Sequence, residues 1–222
     1  MENMENNNIP EINSEEVVET GKKKIDWKKE IKEWIVTIVV AALIAFILQT
    51  FFMQIACVSG PSMEATLQDK DVLYVNKFMY TPEKGDVVIV NTEKLIDKND
   101  PYYEQKLKEK YHVKRIIATA GDSLYIDDEN GDVYVNGELI DEPYINNRTN
   151  INGNFLFDLI MNGDFSLENP LVLKENEIFV MGDNRQHSLD SRANGPYTVD
   201  MIEGHAVFRM WPLSEFGNFD KD

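Results

Sequence analysis

Ser62 and Lys114 are two residues whose types and surroundings could support nucleophilic catalysis. Ser62 follows Gly60 and Pro61, which favour a turn that presents the hydroxyl. A serine hydroxyl is a weak nucleophile, and a lysine can activate it only if its pKa falls from about 10.4 toward neutrality. Lys114 lies in the apolar run 111–122, which is typical of a half-buried strand, where lysines are rare unless paired. Together with the apolar segment before the serine, these residues indicate a membrane-tethered serine–lysine hydrolase.

That apolar segment has no charged residue from Trp34 to Met53. A helix of about 20 residues spans a bilayer core of about 30 Å, so we expect a transmembrane helix over 34–56. Lysines precede it at positions 22, 23, 24, 28, 29 and 32. The positive-inside rule then predicts a cytoplasmic tail, 1–33, and an extracytoplasmic domain, 57–222, on the outer side of the cell membrane. Because the run exceeds the core of a signal peptide, an uncleaved single-pass anchor is favoured over a cleaved leader.

The chain beyond the anchor favours β-strands. Runs rich in β-branched and aromatic residues are separated by glycine-containing turns, at 72–75, 86–90, 114–120, 124–127, 133–136, 177–180 and 206–211. Asn130 and Gly131 are typical of a hairpin turn, and no alternating βαβ pattern is present. We therefore expect a mainly β fold, an antiparallel β-sheet catalytic domain behind one N-terminal transmembrane helix. The charged stretch 92–111 predicts a short helix or exposed loop, and the Asn- and Gly-rich stretch 145–170 predicts an irregular excursion.

Composition excludes several classes of function. The net charge of -17 argues against nucleic-acid binding and favours a soluble acidic exterior, with a preference for basic partners as the alternative. Residues 1–20 have little hydrophobic pattern and predict a disordered tail. The single cysteine, Cys57, excludes an internal disulfide and is expected to be a small buried hydrophobe. The three histidines stand far apart and no metal-binding motif occurs, so we expect no metal and no cofactor.

Four segments in order, Ser59–Leu67, Gly85–Val90, Lys114–Asp122 and Gly182–Arg192, carry a family resemblance. With the anchor before them, they resemble the type I signal peptidases, the bacterial leader peptidases with a serine–lysine dyad. The resemblance covers most of residues 34–213. Any one segment is a weak signal, but the four in order are a strong one. It implies a membrane enzyme that removes signal peptides from exported preproteins, with signal peptides and the lipid bilayer as its partners.

The resemblance also implies roles for individual residues. Ser62 matches the nucleophile and Lys114 the general base. Ser188 matches a serine that hydrogen-bonds the lysine amine and orients it, and Asp190 and Arg192 match a pair that braces the site. Gly182, Asp183 and Asn184 are expected to form the tight turn leading into this segment.

Substrate binding is expected beside the nucleophile. Met63, Leu67 and Val113 would line shallow apolar pockets that fit the small residues of the Ala-x-Ala rule. Some family members carry an oxyanion-binding serine two positions before the nucleophile, where this chain has Gly60. We therefore expect the oxyanion to rely on the backbone N–H of Ser62 and a further amide.

Three alternatives compete with this interpretation. His187 could form a Ser–His–Asp triad with Asp190, but only three positions separate these two residues, and a solvent-facing loop histidine is the simpler interpretation. A self-cleaving repressor with a Ser–Lys peptidase domain would use the same dyad, although the anchor and the lack of a DNA-binding segment count against it. A catalytically inactive, membrane-anchored binding domain is the third, and the presence of Ser62, Lys114, Ser188 and Asp190 together counts against it.

Overall fold

The computed structural model describes residues 27–51, 53–151 and 154–219, and side chains are not described at 48–53 or at 154. The predicted disordered tail and the first lysines lie outside these residues. The chain divides between residues 43 and 44 into two units. The first long element, helix α1, spans Trp27–Phe51.

The exposed side chains of α1 are apolar over much of its length, including Trp34, Ile38 and Phe46. No helix in the described part of the chain is both long and apolar enough to cross a membrane. The side chains at the end of the predicted span, 48–53, lie outside the described set. The predicted boundary at 56 is wrong, because residues 53–57 form an edge strand that pairs with the strand over 72–76.

All strands described belong to the second unit. They are β1 Met53–Cys57, β2 Val72–Asn76, β3 Val87–Asn91, β4 Tyr111–Ala118, β5 Ser123–Ile126, β6 Val133–Val135, β7 Glu138–Leu139, β8 Leu171–Val172, β9 Glu177–Met181, β10 Tyr197–Thr198 and β11 Ile202–Trp211. Short helices interrupt them at α2 Tyr103–Lys108, α3 Asn154–Met161 and α4 Ser191–Asn194.

The described strands form two antiparallel sheets. The larger has the order β1-β2-β11-β3-β4-β9-β10, and the smaller has the order β7-β6-β5-β8. Every pairing within them is antiparallel, which confirms the mainly β prediction. Alternating strand residues such as Leu73 and Val75 are fully buried, as expected for strands with one face on a core.

The two interrupting stretches also contain regular structure. The 92–111 stretch forms a 3-10 turn, Glu93–Leu95, and helix α2, as predicted. The 145–170 stretch is not wholly irregular, because it contains α3. Leu156 on this helix is fully buried in a core cluster, with Leu159 and Ile160 packed against that cluster. Apolar residues three and four positions apart share one helix face, and that face anchors the segment.

Candidate active site

Ser62 lies in the turn that connects β1 to β2. Gly60 takes a φ of 87°, a conformation that favours glycine, and its N–H donates to the Asp69 carboxylate at 3.1 Å. The carbonyl of Met63 accepts from the N–H groups of both Thr66 and Leu67, which closes the turn. Met63 and Leu67 are buried in a core cluster, so the turn is anchored while Ser62 stays half-buried and accessible.

The structure brings Lys114 to Ser62. The amine Nζ lies 3.0 Å from the Ser62 Oγ and donates to the Val113 carbonyl at 2.9 Å. The Lys114 side chain is only 2% exposed. Lys114 lies within β4, where it pairs with β3, and it directly precedes Arg115, at which the pairing of β4 with β9 begins. Among the residues that the structure describes, no carboxylate lies within ion-pair distance of the Lys114 amine.

The environment of Lys114 favours the neutral amine. Burial lowers its pKa from 10.5 to about 8, because a desolvated charge is disfavoured. The charges of Asp190 and Asp183 oppose this shift, and the charge of Arg192 adds to it. A lysine with such a pKa is partly unprotonated near neutral pH and can accept a proton from a hydroxyl.

Asp183 connects the lysine strand to the serine turn. Its carboxylate accepts a bidentate pair from Arg115, at 3.0 Å from Nε and 2.8 Å from the terminal nitrogen. The same carboxylate accepts the Thr66 hydroxyl at 2.5 Å. All three side chains are buried. Asp183 therefore joins β4, the segment after β9 and the turn that carries Ser62.

Asp190 and Arg192 form a second buried pair. Arg192 donates to the two carboxylate oxygens of Asp190 at 2.9 and 2.8 Å, and the Gly182 N–H donates to the same carboxylate at 3.0 Å. Arg192 also donates to the carbonyls of Asn150 and Arg185. Burial alone would raise the pKa of Asp190, but the hydrogen bonds and positive charge of Arg192, together with the hydrogen bond from the Gly182 N–H, outweigh burial and hold that pKa below its usual range.

A third buried pair lies further from the serine. Arg185 forms an ion pair with Glu142, whose side chain is 7% exposed, and also donates to the Thr149 hydroxyl. The ring of Tyr144 stacks under the Arg115 guanidinium, with a centroid distance of 4.1 Å. These contacts fix both arginines from the side facing the 142–150 segment.

Ser188 and Gly182 lie next to Ser62. A Cβ added at Gly182 would fall 2.3 Å from the Ser188 Oγ and 2.4 Å from the Ser62 carbonyl oxygen, so only glycine fits here. The Ser62 carbonyl also accepts the Asn184 N–H at 3.0 Å. The Ser188 Oγ is buried and lies close enough to the Asp190 carboxylate to help lower the pKa of that group, but it makes no well-formed hydrogen bond to a described residue, so its role in orienting Lys114 stays a prediction.

His187 stands apart from the serine and lysine. Its exposed ring contacts the Asn184 side chain at 3.2 Å, and the Asp190 carboxylate is occupied by Arg192. This geometry gives no support to the Ser–His–Asp alternative. Within the described part of the chain, no group of His, Cys, Asp and Glu side chains is arranged to hold a metal ion.

A cavity of about 310 Å³ opens beside Ser62 and Lys114. Met63, Val113 and Cys57 line this cavity. The prediction that Cys57 is buried is wrong, because its side chain is exposed. Cys57 lies on the same exposed face of β1 as Ile55, whereas Ala56 between them packs against the core. Leu67 is not on the cavity wall; it is fully buried in the core that supports the Ser62 turn.

The structure shows buried ion pairs around the site that were not predicted from the sequence, where Asp183 was expected only as part of a turn. Arg115 with Asp183, and Arg185 with Glu142, are two of the three buried ion pairs described above around the site. Arg115 is the one with a usable signal, because a second cation beside Lys114 in an apolar strand requires a buried carboxylate. Its partner is 68 positions away, which no local pattern reveals.

Comparison with known proteins identifies the family of the chain. The family model described as signal peptidase, peptidase S26, matches residues 31–211. Signal peptidase IB of Staphylococcus aureus (strain COL) is 38% identical over 195 residues, which cover 85% of this chain and 94% of that protein. Signal peptidase I P of Bacillus subtilis subsp. natto is 34% identical over 200 residues, covering 88% and 96%.

A crystal structure of a signal peptidase I from Enterococcus faecalis V583 matches with 19% identity and a TM-score of 0.35. It covers 58% of this chain and 98% of that one. The match of the family model over most of the chain, and the two relatives that align along nearly their whole length, decide the assignment. The chain belongs to the type I signal peptidase family, the S26 peptidases.

Proposed function

We propose that this chain is a membrane-anchored serine endopeptidase that removes signal peptides from exported preproteins, with Ser62 as nucleophile and Lys114 as general base. Family membership supports the peptidase activity. One observation carries the assignment of the dyad. The Lys114 amine lies 3.0 Å from the Ser62 hydroxyl in a buried position, where its pKa falls to about 8.

Acylation follows from this geometry. The neutral Lys114 amine accepts the Ser62 proton while Oγ forms a bond to the scissile carbonyl carbon. The resulting oxyanion needs a donor, and the Ser62 N–H has no acceptor among the described residues. Collapse of the intermediate breaks the carbon–nitrogen bond, and the protonated amine gives its proton to the leaving nitrogen. Deacylation repeats these steps with water in place of the serine, which releases the signal peptide and restores the dyad.

The sheet offers a path for an extended substrate. Residues Tyr111–Lys114 pair with β3 along one edge, whereas β9 pairs with β4 only from Arg115 onward. The other edge of Tyr111–Lys114 lines the cavity and has backbone groups available for an added strand.

Exposed apolar side chains support the membrane anchor. Helix α1 has large hydrophobic side chains exposed along its described length, such as Trp34, Ile44 and Phe46. A helix that is hydrophobic on all sides needs an apolar environment. Anchoring in the same bilayer as the signal peptides raises the effective concentration of substrate at the site.

A preprotein cleavage assay tests the dyad. Ser62→Ala and Lys114→Ala should each abolish turnover, and the double variant should be no worse than either, because members of one catalytic unit are non-additive. His187→Ala is the matched control and should keep most of the activity. An inactive His187→Ala variant combined with an active Lys114→Ala variant would replace this mechanism with a serine–histidine one.

A further inference from the structure

Arg209 is a buried arginine on β11 to which the mechanism above gives no role. It is only 6% exposed, and the pairing of β11 with β2 is irregular on either side of Phe208 and Arg209. A buried guanidinium needs partners that supply hydrogen bonds and negative charge. Two of these partners come from the segment 58–71, which contains the Ser62 turn.

The two contacts lie on either side of Gln68. One terminal nitrogen of Arg209 donates to the Thr66 carbonyl at 2.5 Å. The Arg209 Nε lies 3.2 Å from the buried Asp71 carboxylate, an ion pair without the alignment of a hydrogen bond. The Asp71 carboxylate also accepts the Gln68 N–H at 2.9 Å. Arg209 therefore fastens the serine-bearing segment to β11 at two points.

The backbone of this turn needs such support. Ala65 has a φ of 105°, a conformation that residues with a side chain rarely adopt. A conformation of this kind persists only where the surrounding contacts hold it. Thr66, the next residue, is held at both of its polar groups, because its hydroxyl donates to Asp183 and its carbonyl accepts from Arg209.

The segment after β11 in turn encloses Arg209. Arg209 exchanges two backbone hydrogen bonds with Gly217, at 2.8 and 3.1 Å. The other terminal nitrogen of the guanidinium pairs with Glu215, whose side chain is 55% exposed. Two positions beyond Gly217, Phe219 is buried in the core cluster that also holds the residues of the Ser62 turn. The arginine is thus fixed on one side before it reaches the turn on the other.

We propose that Arg209 is a positioning residue for Ser62, which acts through Thr66 and Asp71 to hold the Ser62 turn in its catalytic geometry. The inference rests on the proposed function, in which the Ser62 hydroxyl attacks and the Ser62 N–H stabilises the oxyanion. The contact with the oxyanion forms only in the transition state. A displaced turn should therefore lower kcat much more than it changes KM.

The test compares Arg209→Met with the unaltered full-length chain in detergent micelles, on one preprotein peptide. Both proteins are assayed well below the midpoint of their thermal unfolding, so that folded enzyme is measured. We expect kcat to fall about ten- to a hundredfold and KM to change less than about twofold, as for a small displacement of the reacting group. Hydrogen exchange should become faster at the Thr66 and Leu67 amides, which donate to the Met63 carbonyl, and should stay the same in β5.

The pH dependence of kcat/KM separates a displaced serine from an altered base. Burial shifts the pKa of Lys114 most, followed by the charges of Asp190, Asp183 and Arg192. Arg209 is not among these groups, so Arg209→Met should keep the midpoint of the unaltered chain. A shifted midpoint would place the effect at Lys114 and overturn the positioning role.

Two further variants complete the design. Arg209→Lys keeps a buried cation, but one amine cannot replace a planar guanidinium that contacts two groups, so its kcat should lie between those of Arg209→Met and the unaltered chain. Arg148→Met makes the matched substitution at an exposed arginine and should leave kcat and hydrogen exchange unchanged.

An unchanged kcat in folded Arg209→Met would overturn the proposal, as would a loss of activity that lies in KM alone. If Arg209→Met does not fold, Arg209→Lys decides, and a kcat equal to that of the unaltered chain would overturn the proposal. Failure of the unaltered chain to cleave any peptide would instead contradict the proposed peptidase function. Hydrogen exchange at Thr66 would then still test Arg209, because it requires no activity.

Discussion

The neutral state of Lys114 depends on a balance of buried charge around it. Three guanidinium groups and three carboxylates pair with each other, as Arg115 with Asp183, Arg192 with Asp190, and Arg185 with Glu142. These pairs are mutually compensated, so a protonated Lys114 would add an unmatched charge in a desolvated position. The arrangement supports the proposed role of Lys114 as a base, although the ordinary pKa of a lysine would keep it protonated.

Activity should therefore rise with pH through the titration of Lys114. Because catalysis needs the neutral amine, kcat/KM should increase about tenfold per pH unit below a midpoint of about 8 and level off above it. The measurement is kcat/KM for a preprotein peptide from about pH 6 to pH 10. Lys114→Arg should be inactive throughout, since guanidinium stays protonated, and an active arginine variant would exclude Lys114 as the base.

The same titration should appear in stability. The lysine pKa is about 8 in the folded protein and 10.5 in the reference state, so the unfolded chain binds more protons between these values. The free energy of unfolding should consequently rise as pH increases through this window, by at most about 3 kcal/mol. Denaturant unfolding at a series of pH values measures this, and Lys114→Met should lack the increment. An identical pH dependence in both proteins would contradict the depressed pKa.

Gly182 should be essential for activity because its neighbours leave no room for a side chain. A Cβ there would fall 2.4 Å from the Ser62 carbonyl oxygen, so alanine must displace the backbone that carries the nucleophile. We expect Gly182→Ala to lower kcat about a hundredfold, in line with a displacement of about 1 Å. Gly137→Ala is the control: Gly137 has a φ of 79° but open space around it, so it should cost stability and leave kcat unchanged. A fully active Gly182→Ala variant would show that the turn tolerates the displacement.

Most strands could be predicted from local sequence, because alternating apolar residues specify a half-buried strand wherever it pairs. β2 and β9 lie where β-branched residues predicted them. Helix α3 was missed because the surrounding Asn and Gly residues obscured the apolar face that contains Leu156. The exposure of Cys57 was also missed, since a residue on an edge strand is covered only if another element lies across it.

The two central residues of the candidate site, Ser62 and Lys114, could be predicted from the sequence, whereas the buried polar contacts around them could not. Ser62 and Lys114 each stand in an unusual local context, a Gly-Pro turn and an apolar strand. The hydrogen bond between Thr66 and Asp183 joins residues 117 positions apart, which meet because β2 and β9 belong to one sheet in the order β2-β11-β3-β4-β9. Non-local ion pairs of this kind leave no periodic pattern in the sequence.

The link through Asp183 should be a major source of stability for the second unit. Asp183→Asn keeps the shape of the side chain but removes the negative charge that compensates Arg115. Breaking a buried ion pair in this way lowers the free energy of unfolding by about 3 kcal/mol or more. We expect a lower free energy of unfolding and a lower kcat, measured by denaturant unfolding and peptide cleavage. Asp200→Asn makes the same change in the exposed pair with Lys94 and should have little effect on either. Equal effects of the two substitutions would contradict the role of Asp183.

Across the whole chain, the charge distribution and the single cysteine make the topology testable. The lysines before the apolar run predict that residues 1–33 face the cytoplasm and 57–222 the outside. Cys57 is the single cysteine of the sequence and is exposed, so it reports the side on which the catalytic unit lies. Ser62, five positions further along the chain, lies on the same side of the membrane as Cys57. Under the proposed function this is the side on which exported preproteins are cleaved.

We expect a membrane-impermeant maleimide to label the chain at Cys57 in intact cells, because an exposed thiol outside the membrane is within its reach. Cys57→Ser should abolish the signal, which shows that the label is specific. In that background, Ser14→Cys places a thiol in the segment predicted to be cytoplasmic, and it should react only after the cells are permeabilised. Protease added to spheroplasts should likewise digest the second unit and spare an N-terminal tag. Labelling of Ser14→Cys, but not of Cys57, in intact cells would reverse the predicted orientation.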